Sequence, residues 1–425
     1  MIENNDLNKE KCLIVAININ NSEEENDLDE LEDLVAACEA EVVGTVTQNR
    51  RSKDANLYIG LGKLEEIKVY AEELEADTII FNDELTGSQI RNIEDIVEIK
   101  VIDRTTLILD IFARRALTNE GKLQVELAQL KYKLPRLAGL NAGLSKQGGG
   151  IGSKGPGEKK LELDKRHILR RVEELQDQLN RIEKVRETKR KKRLKDEVPV
   201  VSIVGYTNAG KSTLLNALME YSNTGDEDKQ VFVKDMLFAT LDTEHRKIRL
   251  PGGRFVIFSD TVGFIKKLPT QIVKAFKGTL EEIQYASLIL HVMDINDEHL
   301  ELHKQTTTDL VEQISGKDIP LASVYNKIDK QTDKNFLQTN NTLYISATSK
   351  INLDSLLEYV DTAINGEKAN YLLKIPNSDL KTYYEIYGKR YTFNEEFDAE
   401  GVSFESIIYD DEIDNYSKYI VEKLS

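Results

Sequence analysis

The stretch Gly205-Tyr206-Thr207-Asn208-Ala209-Gly210-Lys211-Ser212 matches the pattern G-x-x-x-x-G-K-S/T. An apolar run, VPVVSIV at 198–204, precedes it, and TLLNALM, which begins at Thr213, follows it with helical spacing. Glycines in such a loop let consecutive backbone N–H groups turn toward phosphates, while Lys211 reaches the outer phosphates and Ser212 offers its hydroxyl to Mg²⁺. The stretch therefore predicts a nucleotide-binding α/β domain whose phosphate cradle spans 205–213.

The sequence Asn326-Lys327-Ile328-Asp329 indicates which base is bound. It follows the apolar run IPLASVY at 319–325, so we expect it at the end of a strand. A carboxylate at Asp329 can accept two N–H bonds from guanine, whereas adenine has no such donor pair, and an unmatched buried carboxylate is costly. Downstream, Ser346 and Ala347 supply the loop beside the base. The predicted substrate and product are GTP and GDP.

Two further segments predict how the site senses a third phosphate. The run RFVIFS at 254–259 leads into Asp260-Thr261-Val262-Gly263, in which Asp260 holds Mg²⁺ through water and the Gly263 N–H senses a γ-phosphate. Upstream, Phe238-Ala239-Thr240 offers a hydroxyl that closes over Mg²⁺ when that phosphate is present. The predicted metal residues are Ser212, Thr240 and Asp260, and the predicted catalytic residues are Lys211, Thr240 and Gly263.

Charge is spread unevenly along the 425 residues. Residues 114–195 contain 23 Lys/Arg against 10 Asp/Glu, a net charge of +13, although the whole chain carries −17. The remaining residues therefore sum to −30, which argues against indiscriminate coating of nucleic acid. The basic segment predicts a local phosphate-binding face, and a solvated charged helix is the alternative.

The basic segment has the pattern of a helical hairpin. Its apolar residues recur at spacings of three and four, which is typical of a coiled-coil seam; they are Leu123, Leu127, Leu130, Leu134, Ile168, Val172, Leu175, Leu179 and Ile182. Between the two runs, residues 139–160 include eight glycines and Pro156, which predicts a loop. We expect this loop and the end of the second helix to contact RNA rather than to form a plain linker. The candidate cations are Lys146, Lys154, Lys159, Lys160, Lys189, Arg190, Lys191, Lys192 and Arg193.

Residues 1–110 alternate short apolar runs with amphipathic stretches. Strands are predicted at 12–17, 41–46, 77–83 and 100–105, and helices at 27–40, 63–76 and 87–96. This alternation predicts a largely parallel sheet. The GLGK at 60–63 can approach a phosphate, but a tight turn is the favoured interpretation because the rest of a phosphate-binding fingerprint is missing.

Four domains are predicted in an α/β multidomain chain. They are an N-terminal parallel-sheet α/β domain (1–110), the helical hairpin (111–197), the P-loop domain (198–366) and a small acidic α+β domain (367–425). The tyrosines of the last domain are interpreted as core and surface residues rather than base-stacking groups. No secretory signal or membrane span is visible and only two cysteines occur, so we expect a cytoplasmic location. A monomer is expected separately.

The chain resembles the HflX family of the Obg-HflX class of translational GTPases. Matches extend beyond the nucleotide motifs to IGLGKLEEI at 59–67, GGGIGSKGPGEKKLELDKR at 148–166 and LFATLDTEHR at 237–246. The resemblance implies a ribosome-associated GTPase that docks its N-terminal domain and hairpin on the large ribosomal subunit and its rRNA. It also implies splitting of stalled ribosomes under stress. In the first switch this chain lacks the proline of the usual LDPTTR, but it retains Thr240.

Two alternatives share these motifs. One is a GTP-regulated ribosome biogenesis or RNA-binding factor with incidental hydrolysis. The other is an RNA-unwinding ATPase, against which Asp329 argues for the P-loop domain.

Phe264 stands where Ras-like switches place a glutamine that orients water. An apolar side chain cannot position the attacking water, so intrinsic turnover should be slow, although simple packing also accounts for a phenylalanine here. A partner surface or K⁺ would then supply the missing group, the latter because Asn208 resembles the P-loop asparagine of cation-dependent relatives. No role is predicted for the histidines: His291 is interpreted as a core residue, and His299 and His303 lack a third metal ligand.

Overall fold

The computed structural model describes residues 9–19, 28–140, 156–195, 198–221, 244–260, 263–266, 281–316, 319–331, 336, 339 and 341–424. Two compact units divide these residues, the first extending to Thr188 and the second following it. The centre of the predicted Gly-rich loop, 141–155, lies outside the described residues, as does 222–243 with the first switch.

The first unit begins with a parallel α/β layer. Its strands are β1 (Lys11–Ile19), β2 (Glu41–Arg50), β3 (Thr78–Phe81) and β4 (Lys100–Asp103), and its helices are α1 (Leu28–Ala37), α2 (Leu61–Glu73) and α3 (Gly87–Val97). The strand order is β2-β1-β3-β4 and every pairing is parallel. The predicted parallel sheet is confirmed, because buried strands and amphipathic helices alternate as their apolar periods indicate.

Three helices follow: α4 (Arg104–Arg115), α5 (Asn119–Leu140) and α6 (Pro156–Lys195), of which α6 belongs to this unit up to Thr188. The sequence patterns did not predict α4. The predicted loop at 139–160 is too long, because α5 continues to Leu140 and α6 begins at Pro156. Proline suits the first turn of a helix, where its missing N–H would have no partner inside the helix. No helix among the described residues is long and apolar enough to cross a bilayer.

The helical hairpin is held by the predicted seam. Leu123, Leu127, Val172 and Leu175 form its buried core, and the other predicted seam residues except Leu134 pack against them. Ion pairs also link the two helices: Arg171 Nε lies 2.7 Å from Glu126 Oε1, and Arg186 pairs with Glu120. Some of the basic charge is therefore matched inside the hairpin.

Helix α5 is fastened to the sheet domain by a polar contact. The Tyr132 hydroxyl donates to the buried Asp103 carboxylate at the end of β4. Arg136 stacks 3.4 Å from the centre of the Tyr132 ring and donates to Glu84 Oε1 at 2.7 Å. A side chain at Gly87 would begin 2.5 Å from the Arg136 carbonyl, so the backbones of α3 and α5 meet closely.

The second unit contains a six-stranded sheet of order β10-β9-β8-β5-β7-β6. Its strands are β5 (Val200–Val204), β6 (Glu244–Arg249), β7 (Phe255–Asp260), β8 (Leu288–Asp294), β9 (Leu321–Asn326) and β10 (Thr342–Tyr344). Its helices are α7 (Lys211–Tyr221), α8 (Leu300–Ser315) and α9 (Leu353–Asn365). Only β6 pairs antiparallel among these described strands, so the carboxyl ends of the others meet at one edge.

A smaller antiparallel sheet of order β12-β13-β11-β14 follows in the same unit. Its strands are β11 (Lys368–Pro376), β12 (Thr392–Phe397), β13 (Gly401–Tyr409) and β14 (Ile420–Lys423), with helices α10 (Leu380–Lys389) and α11 (Ile413–Tyr416). Tyr371 and Tyr383 lie in its core, Tyr384 and Tyr387 are exposed, and Tyr391 is half-buried. The α/β multidomain fold class is thus confirmed.

A buried polar network joins this small sheet to the β6–β7 hairpin. Asp361 of α9 is fully buried and accepts from the Gly252 N–H at 2.8 Å and the Tyr409 hydroxyl at 2.7 Å. Burial alone would raise the pKa of Asp361, but hydrogen bonds from Lys368 and Tyr409 outweigh it and lower the pKa. Arg254 extends the network by pairing with Asp411 and Glu412 at 2.7 and 3.1 Å.

We expect Leu175→Ala to destabilise the hairpin by about 2–4 kcal/mol, because the side chain is fully buried in the seam and its removal leaves a cavity. Hydrogen exchange across α5 and α6 measures this loss. Leu169→Ala on the same helix is the matched control, since Leu169 is 41% exposed. Equal effects of the two changes would contradict the seam.

Candidate functional site

The loop 205–210 follows the central strand β5. At two of its positions the backbone lies so close to residues of β8 and β9 that no side chain fits. A Cβ at Gly205 would lie 2.1 Å from the Val292 carbonyl oxygen of β8. Gly210 has a φ of +90°, and a Cβ there would lie 2.4 Å from Asn326 Nδ2. Glycine meets both demands because it lacks a Cβ and tolerates positive φ. The P-loop pattern therefore reflects contact with two neighbouring strands as well as space for phosphates.

Lys211 opens α7 beneath this loop and is buried. Its ammonium donates to the carbonyls of Gly205 and Tyr206 at 3.1 and 2.8 Å. Burial lowers the pKa of Lys211 to about 8, and the charge of Asp260 opposes this shift only partly. The P-loop thus curves around a lysine whose pKa lies only slightly above neutral pH.

Ser212 and Asp260 meet at the edge between α7 and β7. The Ser212 hydroxyl donates to Asp260 Oδ2 at 2.6 Å, and Asp260 is fully buried at the end of its strand. A hydroxyl and a carboxylate side by side are hard oxygen donors, which are the ligands that Mg²⁺ prefers. The residues present therefore fit a magnesium ion.

Gly263 lies against the P-loop. A Cβ at this position would be 3.0 Å from Lys211 Nζ and 2.9 Å from Thr207 Cγ2. The next residue, Phe264, is 1% exposed and forms a parallel bridge with Tyr206. The end of the D-x-x-G segment is thus adjacent to the buried lysine, and Phe264 is a packing residue.

On the base side, Asn326 connects two loops. Its Nδ2 donates to the Ala209 carbonyl at 3.0 Å, and its Oδ1 accepts from the Ala347 N–H at 3.0 Å. Asp329 Oδ1 accepts from the Ser346 hydroxyl at 2.5 Å. Asp329 is exposed, whereas the sequence predicts a buried carboxylate. A base without matching N–H donors therefore loses binding free energy only when it covers this carboxylate and removes it from water.

Comparison with known proteins identifies the family. Three family models match in chain order: GTP-binding GTPase N-terminal over 25–113, GTP-binding GTPase Middle Region over 115–193, and 50S ribosome-binding GTPase over 200–327. The GTPase HflX of Caldanaerobacter subterraneus subsp. tengcongensis is 47% identical over 400 residues, which cover 93% of this chain and 90% of that protein. The chain belongs to the HflX family of GTPases. It is therefore a GTP-binding P-loop protein that hydrolyses GTP.

A second curated relative agrees with this HflX membership. The GTPase HflX of Escherichia coli K12 is 39% identical over 373 residues, covering 86% of each chain. Among solved structures, a GTP-binding protein of Sulfolobus solfataricus in complex with GDP is 25% identical, with a TM-score of 0.44. It covers 83% of this chain and 98% of that one.

Several predicted residues of this HflX-family chain lie outside the described residues: Phe238, Ala239, Thr240, Thr261, Val262, Lys146 and Lys154. Others lie on α6, where the helix is described but their side chains are not: Lys159, Lys160, Lys189, Arg190, Lys191, Lys192 and Arg193. Asn208 is exposed with a left-handed φ of 62°, and Thr213 is half-buried in the first turn of α7.

Sequence reasoning missed two residues that contact the nucleotide motifs of this HflX-family chain. His303 of α8 stacks on Tyr206, with ring centres 3.7 Å apart. Asp294, at the end of β8, pairs with Lys327 at 2.9 Å. No local signal in the sequence places α8, and with it His303, against the P-loop. The position of Asp294 at the end of an apolar run is a signal in the sequence that could have predicted a polar residue at this edge of the sheet.

Binding of GDP at pH 8 should take up protons. The reason is that burial lowers the pKa of Lys211 to about 8, so part of the free protein carries a deprotonated Lys211, and phosphates beside it raise this pKa. Calorimetry in two buffers of different ionisation enthalpy measures the uptake. Proton release, or no exchange, would contradict a lysine that contacts the phosphates.

Proposed function

We propose that this HflX-family GTPase binds the large ribosomal subunit in the cytoplasm and couples GTP binding and hydrolysis to ribosome dissociation or rescue under stress. The observation that carries the proposal is the match of 200–327 to the family described as 50S ribosome-binding GTPase. The basic segment at 114–195, with a net charge of +13 in an acidic chain, supports an RNA partner.

The proposed RNA contacts are cations of the hairpin near its Gly-rich tip and at the end of its second helix. Arg171 and Arg186 pair with Glu126 and Glu120 across the helices, so they are the poorer candidates. We assign rRNA contact to the Gly-rich tip and to the end of α6. The residues are Lys146, Lys154, Lys159, Lys160, Lys189, Arg190, Lys191, Lys192 and Arg193.

The proposed nucleotide contacts follow the edge of the six-stranded sheet. The backbone of 205–213 holds the phosphates, and Asn326, Lys327, Asp329, Ser346 and Ala347 surround guanine. Ser212 and Asp260, with Thr240, would hold Mg²⁺, which when bound neutralises phosphate charge. Phe238, Ala239, Thr261 and Val262, in the two switch segments, are the remaining proposed nucleotide contacts.

For hydrolysis, we assign charge stabilisation to the Lys211 ammonium and γ-phosphate sensing to the Gly263 N–H, with Thr240 completing the closed site. Phe264 is buried beside the P-loop and offers no group that orients water. We therefore propose that the ribosomal partner supplies the missing group, or that K⁺ beside Asn208 does.

The burial of Phe264 also favours one alternative, a GTP-regulated biogenesis or RNA-binding factor whose hydrolysis is incidental. Such a factor needs only nucleotide-dependent affinity and no stimulated turnover. The RNA-unwinding ATPase is less favoured, because Asp329 with its Ser346 hydrogen bond suits guanine.

Purified large ribosomal subunits should raise GTP turnover at least tenfold, because they complete a site that lacks a water-orienting side chain. A titration of subunits at fixed GTPase concentration measures this, with small subunits as the control. Turnover that stays constant across the titration, with binding intact, would favour the biogenesis factor.

Asp329→Asn should lower GTP affinity at least a hundredfold and favour xanthosine triphosphate, because an amide donates where the carboxylate accepts. Competition with labelled GDP measures both constants. Asp309→Asn, at an exposed position of α8 to which no nucleotide contact is assigned, is the matched control. If Asp329→Asn retains its preference for guanine, the base assignment fails.

A further inference from the structure

The side chain of Tyr206, the second residue of the P-loop, joins three elements of the second unit. It is 7% exposed. Its hydroxyl accepts the backbone N–H of Lys266 at 2.6 Å, three residues beyond Gly263. Its ring stacks on His303 of α8, with ring centres 3.7 Å apart and planes 12° apart. One P-loop side chain therefore contacts both the segment after D-x-x-G and the neighbouring helix.

Backbone hydrogen bonds run beside this contact. The Thr207 N–H donates to the Phe264 carbonyl at 2.8 Å, and the Phe264 N–H donates to the Gly205 carbonyl at 3.1 Å. The Tyr206 hydroxyl adds a third bond farther along the same segment. Because Gly263 comes just before this bonded stretch, its distance from Lys211 depends on how firmly 264–266 is held.

His303 is itself fixed from the opposite side. Its Nδ1 lies 2.5 Å from Asp297 Oδ2, in the turn before α8. Burial raises the pKa of Asp297, but hydrogen bonds from His303 and from the His299 N–H outweigh this effect, so the pKa lies below its usual value. The carboxylate is therefore charged near neutral pH, and it orients the imidazole on which Tyr206 stacks.

The geometry points to Tyr206 as a positioning residue for GTP hydrolysis: its hydroxyl ties 264–266 to the P-loop, and His303 and Asp297 hold its ring. The inference rests on the assignment of Gly263 as the γ-phosphate sensor under Proposed function. GDP needs only the phosphate cradle, whereas GTP also needs the Gly263 N–H in place. The hydrogen bond between the Lys266 N–H and the Tyr206 hydroxyl should therefore affect the affinity for GTP and not the affinity for GDP.

Tyr206→Phe tests this directly, because it removes one hydroxyl and keeps the ring that stacks on His303. We expect the affinity for a non-hydrolysable GTP analogue and kcat each to fall about three- to tenfold, the effect of one hydrogen bond. GDP affinity should change less than twofold. The measurements are titration calorimetry with magnesium and single-turnover hydrolysis on the full chain.

Tyr359→Phe is the matched control. Its hydroxyl lies 3.3 Å from Asn341 Oδ1 in the same unit, and its loss should alter none of the three quantities. A double-mutant cycle of Tyr206→Phe with His303→Ala tests the stack. If His303 acts through Tyr206, the two losses of GTP-analogue affinity should be less than additive.

Two outcomes would overturn the inference. One is no change in the affinity for either the GTP analogue or GDP in Tyr206→Phe, and the other is an equal fall for both nucleotides, which would indicate plain packing of the P-loop. Gly263→Ala separates these results from a failure of the proposed sensor. If Gly263→Ala shifts the affinity ratio while Tyr206→Phe does not, the assignment of Gly263 as sensor is supported and the role of the Tyr206 hydroxyl is wrong. If Gly263→Ala leaves the ratio unchanged, the sensor assignment itself is wrong.

Discussion

The close approach of the loop 205–210 to strands β8 and β9 is the constraint on which the nucleotide site depends. Side chains at Gly205 or Gly210 would collide with the Val292 carbonyl or the Asn326 amide. That contact lets Asn326 bond Ala209 and Ala347 at once, so the phosphate side and the base side share one anchor. The P-loop is therefore part of the sheet packing, and its backbone amides are held in place before any phosphate arrives.

The parallel sheet brings motifs that are far apart in the sequence close together in space. The P-loop, Asp260, Asn326 and the Ser346–Ala347 pair follow four strands whose carboxyl ends lie at one edge. Ser212 and Asp260 come within 2.6 Å although they are 48 residues apart. At the opposite end of β7, the β6–β7 hairpin is held by Asp361, Tyr409 and the Arg254 ion pairs. The strand that carries Asp260 is thus restrained at both ends.

In the first unit, the sequence pattern predicts some features of the fold and only the packed structure shows others. Alternating apolar periods were enough to predict a parallel sheet and a helical seam, because burial of regularly spaced side chains drives both. They could not predict that Glu126 and Glu120 would match Arg171 and Arg186, since a net charge does not say which charges meet. Nor did they separate the loop from the helix starting at Pro156, because proline breaks a helix interior but suits its first turn.

The sequence by itself determined the α/β class, the HflX resemblance and the motif residues, because fixed spacing in one short segment sets their local geometry. Only the tertiary structure decided that Phe264 is buried beside the P-loop, that Asp329 is exposed, and that His303 stacks on Tyr206 of the P-loop. His303 lies 97 residues beyond Tyr206 in the chain. Contacts of that kind arise when separate helices and strands pack together, and no periodicity along the chain encodes them.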